Sequence, residues 1–390
     1  MKILQLNIEG FRSLKNVEWK PGDLNVVIGP NASGKSNLLK ALEFISASAR
    51  GELANTVQRM GGMQSLKWDG SANYIQFHIN YGVYLTSKLF SSSYRFLLND
   101  TGAFHDSRIG KEYLYELNNY KPNEHWQGTD DKIIERDEYR TDRPAFPILL
   151  ASGKPDETYL SRMTNEISES AYNLKQYLAS WSTFNRLVSD ETSVLRVPPI
   201  ARYETRLNKD GQNLVSVLHT LYTENHAFEK AIDDAMHAVF GAEFVKLIFP
   251  PAADQRVQMR IEWRSLKQKQ NTAAISDGTL QYLFLIAALA HPEPPPLIAF
   301  DEPETGLHPR MFGIIAEYAA DAALKTQVVF TTHSAEFLDA MTQFQPTTTI
   351  ALWENGETLL KTVDQENLAY WLKDYRLGEM FWSGQLEAIA

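Results

Sequence analysis

A short glycine-rich stretch holds the residues whose types and spacing are best suited to chemistry. It has the form G-x-x-x-x-G-K-S and comprises Gly29, Pro30, Asn31, Ala32, Ser33, Gly34, Lys35 and Ser36. An apolar strand pattern precedes it at residues 24–28, and a helix pattern follows at residues 37–46. In that context the glycines let backbone N–H groups turn inward around a phosphate, and the helix N-terminus adds partial positive charge. Unless the match is a chance glycine-rich turn, Lys35 is predicted to contact the outer phosphates of a nucleotide and Ser36 to bind Mg²⁺.

A second candidate follows another apolar run. Residues 296–300 are typical of a buried strand, and Asp301 and Glu302 come directly after it. A hard cation prefers oxygen ligands, so Asp301 is predicted to support Mg²⁺, while Glu302 would orient and deprotonate an attacking water. A carboxylate pair that caps a turn is the alternative for this motif taken alone.

A histidine follows the next strand pattern. Residues 327–330 are rich in β-branched and aromatic side chains, and they lead into Thr331, Thr332, His333 and Ser334. An imidazole beside a γ-phosphate can donate a hydrogen bond to it and help to sense its loss. A single histidine after a strand is more often structural, but its position behind the acidic pair favours the functional role.

A small-residue turn opens an apolar helix pattern at residues 280–290. It contains Ser276 and Gly278, with Asp277 between them. Ser276 or Asp277 can cap this helix, and the same geometry can receive a phosphate. If that phosphate already lies on Lys35 of one subunit, the turn must come from a second subunit.

The remaining pattern gives the elements that position these motifs. Strand patterns lie at residues 3–8, 24–28, 74–83, 94–98, 244–249 and 257–263. Residues 165–188 and 214–240 each predict one substantial helix, and neither sustains the heptads of a long coiled coil. Residues 99–147 are mostly polar or charged and include prolines, which predicts an irregular, exposed insertion.

Composition limits the class of protein. The 390 residues are 44 % hydrophobic and carry a formal net charge of −10, which argues against a uniformly basic DNA-coating protein but allows a local basic groove. Without cysteine the chain has neither a disulfide nor a thiolate metal site. Because no apolar run reaches about 18 residues, we expect a soluble, unexported, cytoplasmic protein without a membrane partner.

Taken together, these motifs resemble those of ABC-type ATPases of the SMC/RecF/OLD superfamily, particularly its compact AAA_21-type members. The similar stretches, in chain order, are IEGFRSL at 8–14, GPNASGKS at 29–36, SDGT at 276–279, LIAFDEPETGLHP at 297–309 and TTHS at 331–334. The resemblance covers about the first 45 and about the last 120 residues. It implies an α/β P-loop NTPase fold, an ABC-ATPase head with a mixed sheet, an antiparallel β lobe and a helical insertion.

The resemblance also implies an organisation and a set of roles. Residues 1–98 would be an N-terminal ATPase lobe with Walker A, residues 99–240 an irregular and helical insertion, and residues 241–390 a C-terminal lobe. Glu302 would be the general base and His333 the switch histidine. Lys35 and Ser36 would bind the phosphates and Mg²⁺, and Asp301 would support Mg²⁺. Ser276 and Gly278 would form the signature, and residues 306–308 would lie in a loop that crosses the dimer interface. Arg12 would lie near the nucleotide, and Gln64 would be the Q-loop glutamine.

Three departures from the wider group restrict what the resemblance implies. Asp277 stands where transporter-type signatures have glycine. The middle segment is too short for SMC arms, and the chain after residue 335 shows no acidic cluster of the Toprim nuclease type. A transporter's nucleotide-binding subunit is therefore disfavoured, and so is a built-in nuclease.

Two hypotheses of function remain. In the first, the chain is an ATPase that forms a homodimer around two ATP molecules and separates on hydrolysis. In the second, it is an ATP-gated sensor or scaffold with little hydrolysis, which presents its surface to DNA or to a separately encoded effector such as a nuclease or toxin. DNA repair or phage defence is the setting that the resemblance implies. A basic run before the signature could touch nucleic-acid phosphates or form a solvated strand face: Arg256, Arg260, Arg264, Lys267 and Lys269.

Overall fold

The computed structural model describes residues 1–85, 88–100, 107–118, 121–129, 132–133, 157–190 and 192–389. Its strands are β1 Lys2–Phe11, β2 Leu14–Trp19, β3 Leu24–Ile28, β4 Tyr74–Leu85, β5 Lys88–Asp100, β6 Ser107–Asn118, β7 Lys121–Thr129, β8 Lys132–Ile133, β9 Ser182–Phe184, β10 Phe244–Ile248, β11 Pro251–Ala252, β12 Arg256–Val257, β13 Arg260–Trp263, β14 Gln270–Asn271, β15 Leu297–Asp301, β16 Gln327–Thr332, β17 Thr347–Glu354 and β18 Glu357–Thr362. Its α-helices are α1 Lys35–Arg50, α2 Leu53–Arg59, α3 Gly62–Leu66, α4 Glu169–Ala179, α5 Leu214–Glu224, α6 His226–Phe240, α7 Asp277–Leu289, α8 Phe312–Ala323, α9 Ala335–Met341, α10 Gln365–Trp371, α11 Leu377–Trp382 and α12 Gln385–Ile389.

A mixed six-stranded sheet forms the centre of the fold. Its strand order is β18-β17-β3-β16-β15-β9, and only β18 pairs antiparallel. Both faces are covered: Ile28 and Phe330 belong to one hydrophobic core, and Val27 and Val329 belong to the other. Burial on both faces explains why these strands are continuous apolar runs instead of alternating patterns.

An antiparallel sheet lies beside the central one, in the order β2-β1-β4-β5-β6-β7-β8. Helix α1 packs against it through Phe44, whose ring lies 5.5 Å from the rings of Phe11 and Phe77. The Gln327 side chain joins the two sheets, because its carboxamide donates to Ile3 O at 3.0 Å and accepts from Ile3 N at 2.7 Å. The helix behind the phosphate-loop motif is thus held between the two sheets.

Two helix predictions for the middle of the chain were wrong in extent. The region 165–188 forms α4 and then β9, which joins the edge of the central sheet next to β15. The region 214–240 is two helices because Asn225 interrupts it: its extended backbone ends α5, and its side-chain oxygen accepts from Phe228 N at 2.9 Å to cap α6. Apolar residues at helical spacing continue across this cap, so periodicity alone gave no sign of the break.

The prediction of an irregular insertion at residues 99–147 was wrong where the structure describes it. Strands β6 and β7 extend the antiparallel sheet there. Leu114 of β6 is buried, and the buried Glu112 carboxylate accepts from the Tyr94 hydroxyl at 2.7 Å and from Leu160 N at 2.9 Å. A strand with a buried acid does not show the usual apolar alternation. Residues 134–147 of the predicted insertion lie outside the described residues.

Among the described helices, none is long and apolar enough to cross a lipid bilayer.

Helix packing at the C-terminal end supplies a test of the fold. Gly378 of α11 lies so close to α9 that a Cβ there would come within 2.2 Å of Ala335 O. We expect Gly378→Ala to lower the free energy of unfolding by about 2 kcal/mol, because a backbone atom blocks the added methyl group. Urea denaturation would measure the change.

The matched control is Gly313→Ala in α8. Gly313 is exposed, and a Cβ there would meet nothing within 4 Å. Alanine should be neutral or stabilise by up to about 1 kcal/mol through its higher helix propensity. Equal unfolding free energies for the two variants would contradict the close packing of α9 and α11.

Candidate nucleotide site

The stretch 29–36 forms the turn between β3 and the N-terminus of α1. Gly34 has a φ of 96°, and a Cβ there would lie 1.9 Å from the Thr358 hydroxyl of β18. That hydroxyl lies 2.9 Å from Ser33 O and 2.7 Å from Ser13 Oγ. Strand β18 and the β1–β2 turn therefore hold this loop in place, and only glycine fits at position 34.

Lys35 is almost fully buried at the start of α1, with 4 % of its surface exposed. Its ammonium group donates to Gly29 O at 2.8 Å and to Pro30 O at 2.9 Å. Burial lowers the pKa of Lys35, while the nearby carboxylates of Glu302 and Asp301 oppose that change. Two of its three donors are accounted for within the loop, and an anion near the loop could accept from the third.

Asp301 lies at the end of β15, where two hydroxyl groups meet it. Ser36 Oγ donates to Asp301 Oδ1 at 3.1 Å, and the Thr331 hydroxyl donates to the same oxygen. The strand register places Asp301 opposite Thr331 in the parallel β15–β16 pair. Among the described residues nothing bonds to Asp301 Oδ2. The donor set of one hydroxyl and one carboxylate with an uncommitted oxygen fits the hard cation Mg²⁺.

Glu302 and His333 form a pair at the same edge of the sheet. His333 Nδ1 lies 2.9 Å from Glu302 Oε1, and the two side chains are 43 % and 34 % exposed. When Glu302 is ionised, His333 Nδ1 carries the proton that it donates to Glu302, and Nε2 is the ring nitrogen that does not contact Glu302. Glu302 has a φ of 46°, and its N–H donates to Thr331 O at 3.1 Å. Strained backbone of this kind in a non-glycine residue is often found at functional sites.

Glu304 is a residue of this site that the sequence analysis missed. It is 7 % exposed, its Oε1 accepts from the Thr332 hydroxyl, and its Oε1 lies 4.0 Å from His333 Nδ1. Glu304 Oε2 is buried and has no hydrogen-bond partner among the residues that the structure describes, and burial raises the pKa of this carboxyl. The repeated acid in Asp301-Glu302-Pro303-Glu304 was the only available signal.

Arg12 follows β1 in the turn that supports the loop. Its neighbour Ser13 accepts from Asn37 Nδ2 at 2.7 Å, so the turn contacts the start of α1. The Arg12 guanidinium is half-buried, which lowers its pKa, and Arg12 N donates to Leu66 O at the end of α3. Gln64 lies exposed on the same short helix. The structure places both residues close to the turn beside the loop, and their roles remain predictions.

The signature residues form a second cluster. Ser276 caps α7, because its hydroxyl accepts from Thr279 N at 3.2 Å. A Cβ on Gly278 would lie 2.9 Å from Gly306 O, so the signature turn packs against the start of the predicted interface loop at 306–308. In the part of the chain that the structure describes, no hydrogen bond joins Ser276 or Gly278 to the loop at 29–36.

Several side chains of the basic run before the signature form hydrogen bonds or ion pairs with neighbouring residues. Arg256 donates to Pro198 O at 2.7 Å, Arg260 donates to Gln258 at 2.9 Å, and Lys269 pairs with Glu262 at 2.9 Å. These contacts favour the interpretation as a solvated strand face over a groove that binds nucleic-acid phosphates.

Comparison with known proteins agrees with this geometry. The AAA_21 family, described as "AAA domain, putative AbiEii toxin, Type IV TA system", matches residues 24–339. The DNA replication and repair protein RecF of Moorella thermoacetica is 36 % identical over 74 residues, which is 18 % of either chain. The structural maintenance of chromosomes protein 1 of Arabidopsis thaliana is 44 % identical over 54 residues, 13 % of this chain and 4 % of that protein. This chain thus spans less than a fifth of the length of these relatives.

Solved structures extend the likeness to the whole fold. An Smc head bound to the C-winged helix domain of ScpA has a TM-score of 0.59 at 14 % identity and covers 95 % of this chain and 100 % of that one. An Smc head with an extended coiled coil, bound to the C-terminal domain of ScpA derived from Pyrococcus furiosus, has a TM-score of 0.57 at 14 % identity and covers 96 % and 99 %. The predicted fold class, a P-loop ABC-ATPase head, is confirmed. The chain belongs to the AAA_21 family, and it is similar in fold to Smc heads and in short stretches of sequence to RecF.

Proposed function

We propose that the chain binds ATP with Mg²⁺ and hydrolyses it, and that two copies enclose two ATP molecules between them. The observation that carries this proposal is the convergence of Lys35, Ser36, Asp301, Glu302 and His333 at one edge of the central sheet. The signature residues form a separate cluster, so the site on one chain is half of the proposed site. A two-fold dimer would supply the other half to both nucleotides.

Each residue of the proposed site would have its own role in the reaction. Lys35 would neutralise the outer phosphates, and Ser36 with Asp301 would hold Mg²⁺, which stabilises charge on the β- and γ-phosphate oxygens when bound. Glu302 would accept a proton from the attacking water. His333 would hold Glu302 in place through Nδ1 and could direct Nε2 towards the γ-phosphate. Positioning and charge neutralisation supply most of the acceleration in this class of reaction.

For the biological role, we favour action in DNA repair or phage defence together with DNA or an effector protein, in the cytoplasm. The similarity to RecF, named for DNA replication and repair, supports the first setting, and the ScpA-bound Smc heads support a protein partner. The alternative is an ATP-gated sensor or scaffold with little hydrolysis. It would use the same contacts of Lys35 and Ser36 with ATP and would differ from the first proposal in the rate of hydrolysis.

The first prediction separates binding from hydrolysis. Glu302→Gln should keep ATP binding, lower kcat at least about a hundredfold because the base is lost, and accumulate dimers in ATP and Mg²⁺. Phosphate release and light scattering after gel filtration would measure both effects. Lys35→Ala is the control that should lose ATP binding. Wild-type turnover in Glu302→Gln would contradict the assignment.

The second prediction concerns the cation. Asp301→Asn keeps an oxygen that can accept from Ser36 and Thr331 but removes the negative charge. We expect the Mg²⁺ concentration for half-maximal ATPase activity to rise by about tenfold or more, with the fold unchanged. A Mg²⁺ titration of phosphate release, with circular dichroism as the control for folding, tests this. An unchanged titration midpoint would exclude Asp301 as a cation-supporting residue.

A further inference from the structure

The signature turn carries a negative charge where the proposed dimer needs to receive phosphate. Asp277 is the first residue of α7, next to Gly278, and its side chain is 64 % exposed. A carboxylate at a helix N-terminus suits the helix dipole, but it repels a second anion that binds at the same end. An ATP phosphate from the partner subunit would meet this charge unless another group offsets it.

Arg196 is the group that offsets it. It lies in the 3₁₀ turn Val194–Arg196, its side chain is 12 % exposed, and its Nη2 forms an ion pair with Asp277 Oδ1. Ser189 Oγ donates to the same carboxylate oxygen at 2.9 Å. The Asp277 charge is therefore satisfied from within the chain by one cation and one hydroxyl.

The same guanidinium also fixes the backbone that leads into the signature. Its Nε donates to Ser189 O at 2.8 Å, and its Nη1 donates to Thr272 O at 2.8 Å and to Ile275 O. The planar, five-donor fork of arginine can make these contacts together, whereas a lysine ammonium cannot span them. Arg196 thus joins Ser189 to the segment that leads into Ser276 and Gly278.

Ser189 and Asp277, which both contact Arg196, line a groove beside the signature turn. The groove has a volume of about 320 Å³ and is lined by Ser189, Asp277, Gly278, Gly306 and Arg186, among others. In the part of the chain that the structure describes, Arg186 makes no ion pair, and it is exposed at this wall. Asp190 also lines the groove and offsets the charge of Arg186, so the pairing of Asp277 with Arg196 is what keeps the groove from presenting a net negative charge to a phosphate-bearing ligand.

We propose that Arg196 is a positioning residue for recognition of the partner subunit's ATP: it neutralises Asp277 and sets the signature turn that receives the phosphate. This inference rests on the proposed ATP-enclosing dimer. It pairs Asp277, which stands where transporter-type signatures have glycine, with a specific cation elsewhere in the chain. It also makes Ser189 and Arg196 part of the structure that supports the nucleotide-dependent interface.

The test uses the full chain in the Glu302→Gln background and measures the ATP concentration at which half of the protein is dimeric in Mg²⁺. Arg196→Met should raise that concentration by about tenfold, since the unpaired Asp277 carboxylate would then repel the phosphates of the partner subunit's ATP. Adding Asp277→Asn should return it to within about threefold of the parent, because the unpaired charge is removed. Binding of a fluorescent ATP analogue to the monomer should stay unchanged, since Lys35 is untouched.

The outcomes separate the two proposals. If the Glu302→Gln parent forms no dimer with ATP, the proposed function fails and the Arg196 inference fails with it. If the parent dimerises and Arg196→Met dimerises equally well, only the Arg196 inference is overturned. If Asp277→Asn gives no recovery in the double variant, Arg196 acts through packing alone and the charge argument is overturned.

A single variant covers the case in which Arg196→Met does not fold. Asp277→Asn alone changes an exposed side chain and leaves Arg196 with uncompensated positive charge beside the groove. The proposal predicts that this variant dimerises at a lower ATP concentration than the parent. A higher or equal concentration would overturn the proposal, because it would show that the ion pair serves only to hold the turn.

Discussion

The parallel register of β3, β16 and β15 is the constraint on which the site depends. It places Ile28 opposite Thr332 and Thr331 opposite Asp301, so the carboxyl ends of all three strands lie at one edge of the sheet. Each strand is followed by a different functional segment: the phosphate-loop motif, the acidic pair and the histidine. Because both sheet faces are buried in hydrophobic cores, a shift in register would expose apolar side chains and is strongly disfavoured.

Short hydrogen bonds between the segments that follow β15 and β16 then fix the orientation of the acidic side chains. The Thr331 hydroxyl holds Asp301, the Thr332 hydroxyl holds Glu304, and His333 holds Glu302. Three successive residues of one segment therefore orient the three acids of the neighbouring one. Such mutual support keeps charged groups in place at a site where burial makes unpaired polar atoms costly.

The division of the site into two clusters gives the fold its proposed behaviour. The phosphate-loop cluster and the signature cluster each hold polar groups that can meet a nucleotide, yet no hydrogen bond between described residues joins them. Gly278 lies against Gly306, which follows the acidic segment, so the signature and Walker B are neighbours in the structure. In the proposed dimer, a change at Glu302 on hydrolysis would have a short path to the surface that contacts the partner, and this would couple hydrolysis to dimer separation.

The sequence by itself determined the phosphate-loop motif, the acidic pair, the histidine and the cap at Ser276, because each depends on local residue types and spacing. It also indicated the strands that precede them, since strands buried on both faces are continuous apolar runs. Only the tertiary structure decided what depends on distant contacts: the joining of β9 to the central sheet and the burial of Glu112 in a strand that looked irregular. The cap at Asn225 is local, but apolar residues at helical spacing continue across it and conceal it. Arg196 shows the physical reason most clearly. Its guanidinium pairs with the carboxylate of Asp277, which is 81 positions further along the chain, and nothing in the local sequence around Arg196 indicates this contact.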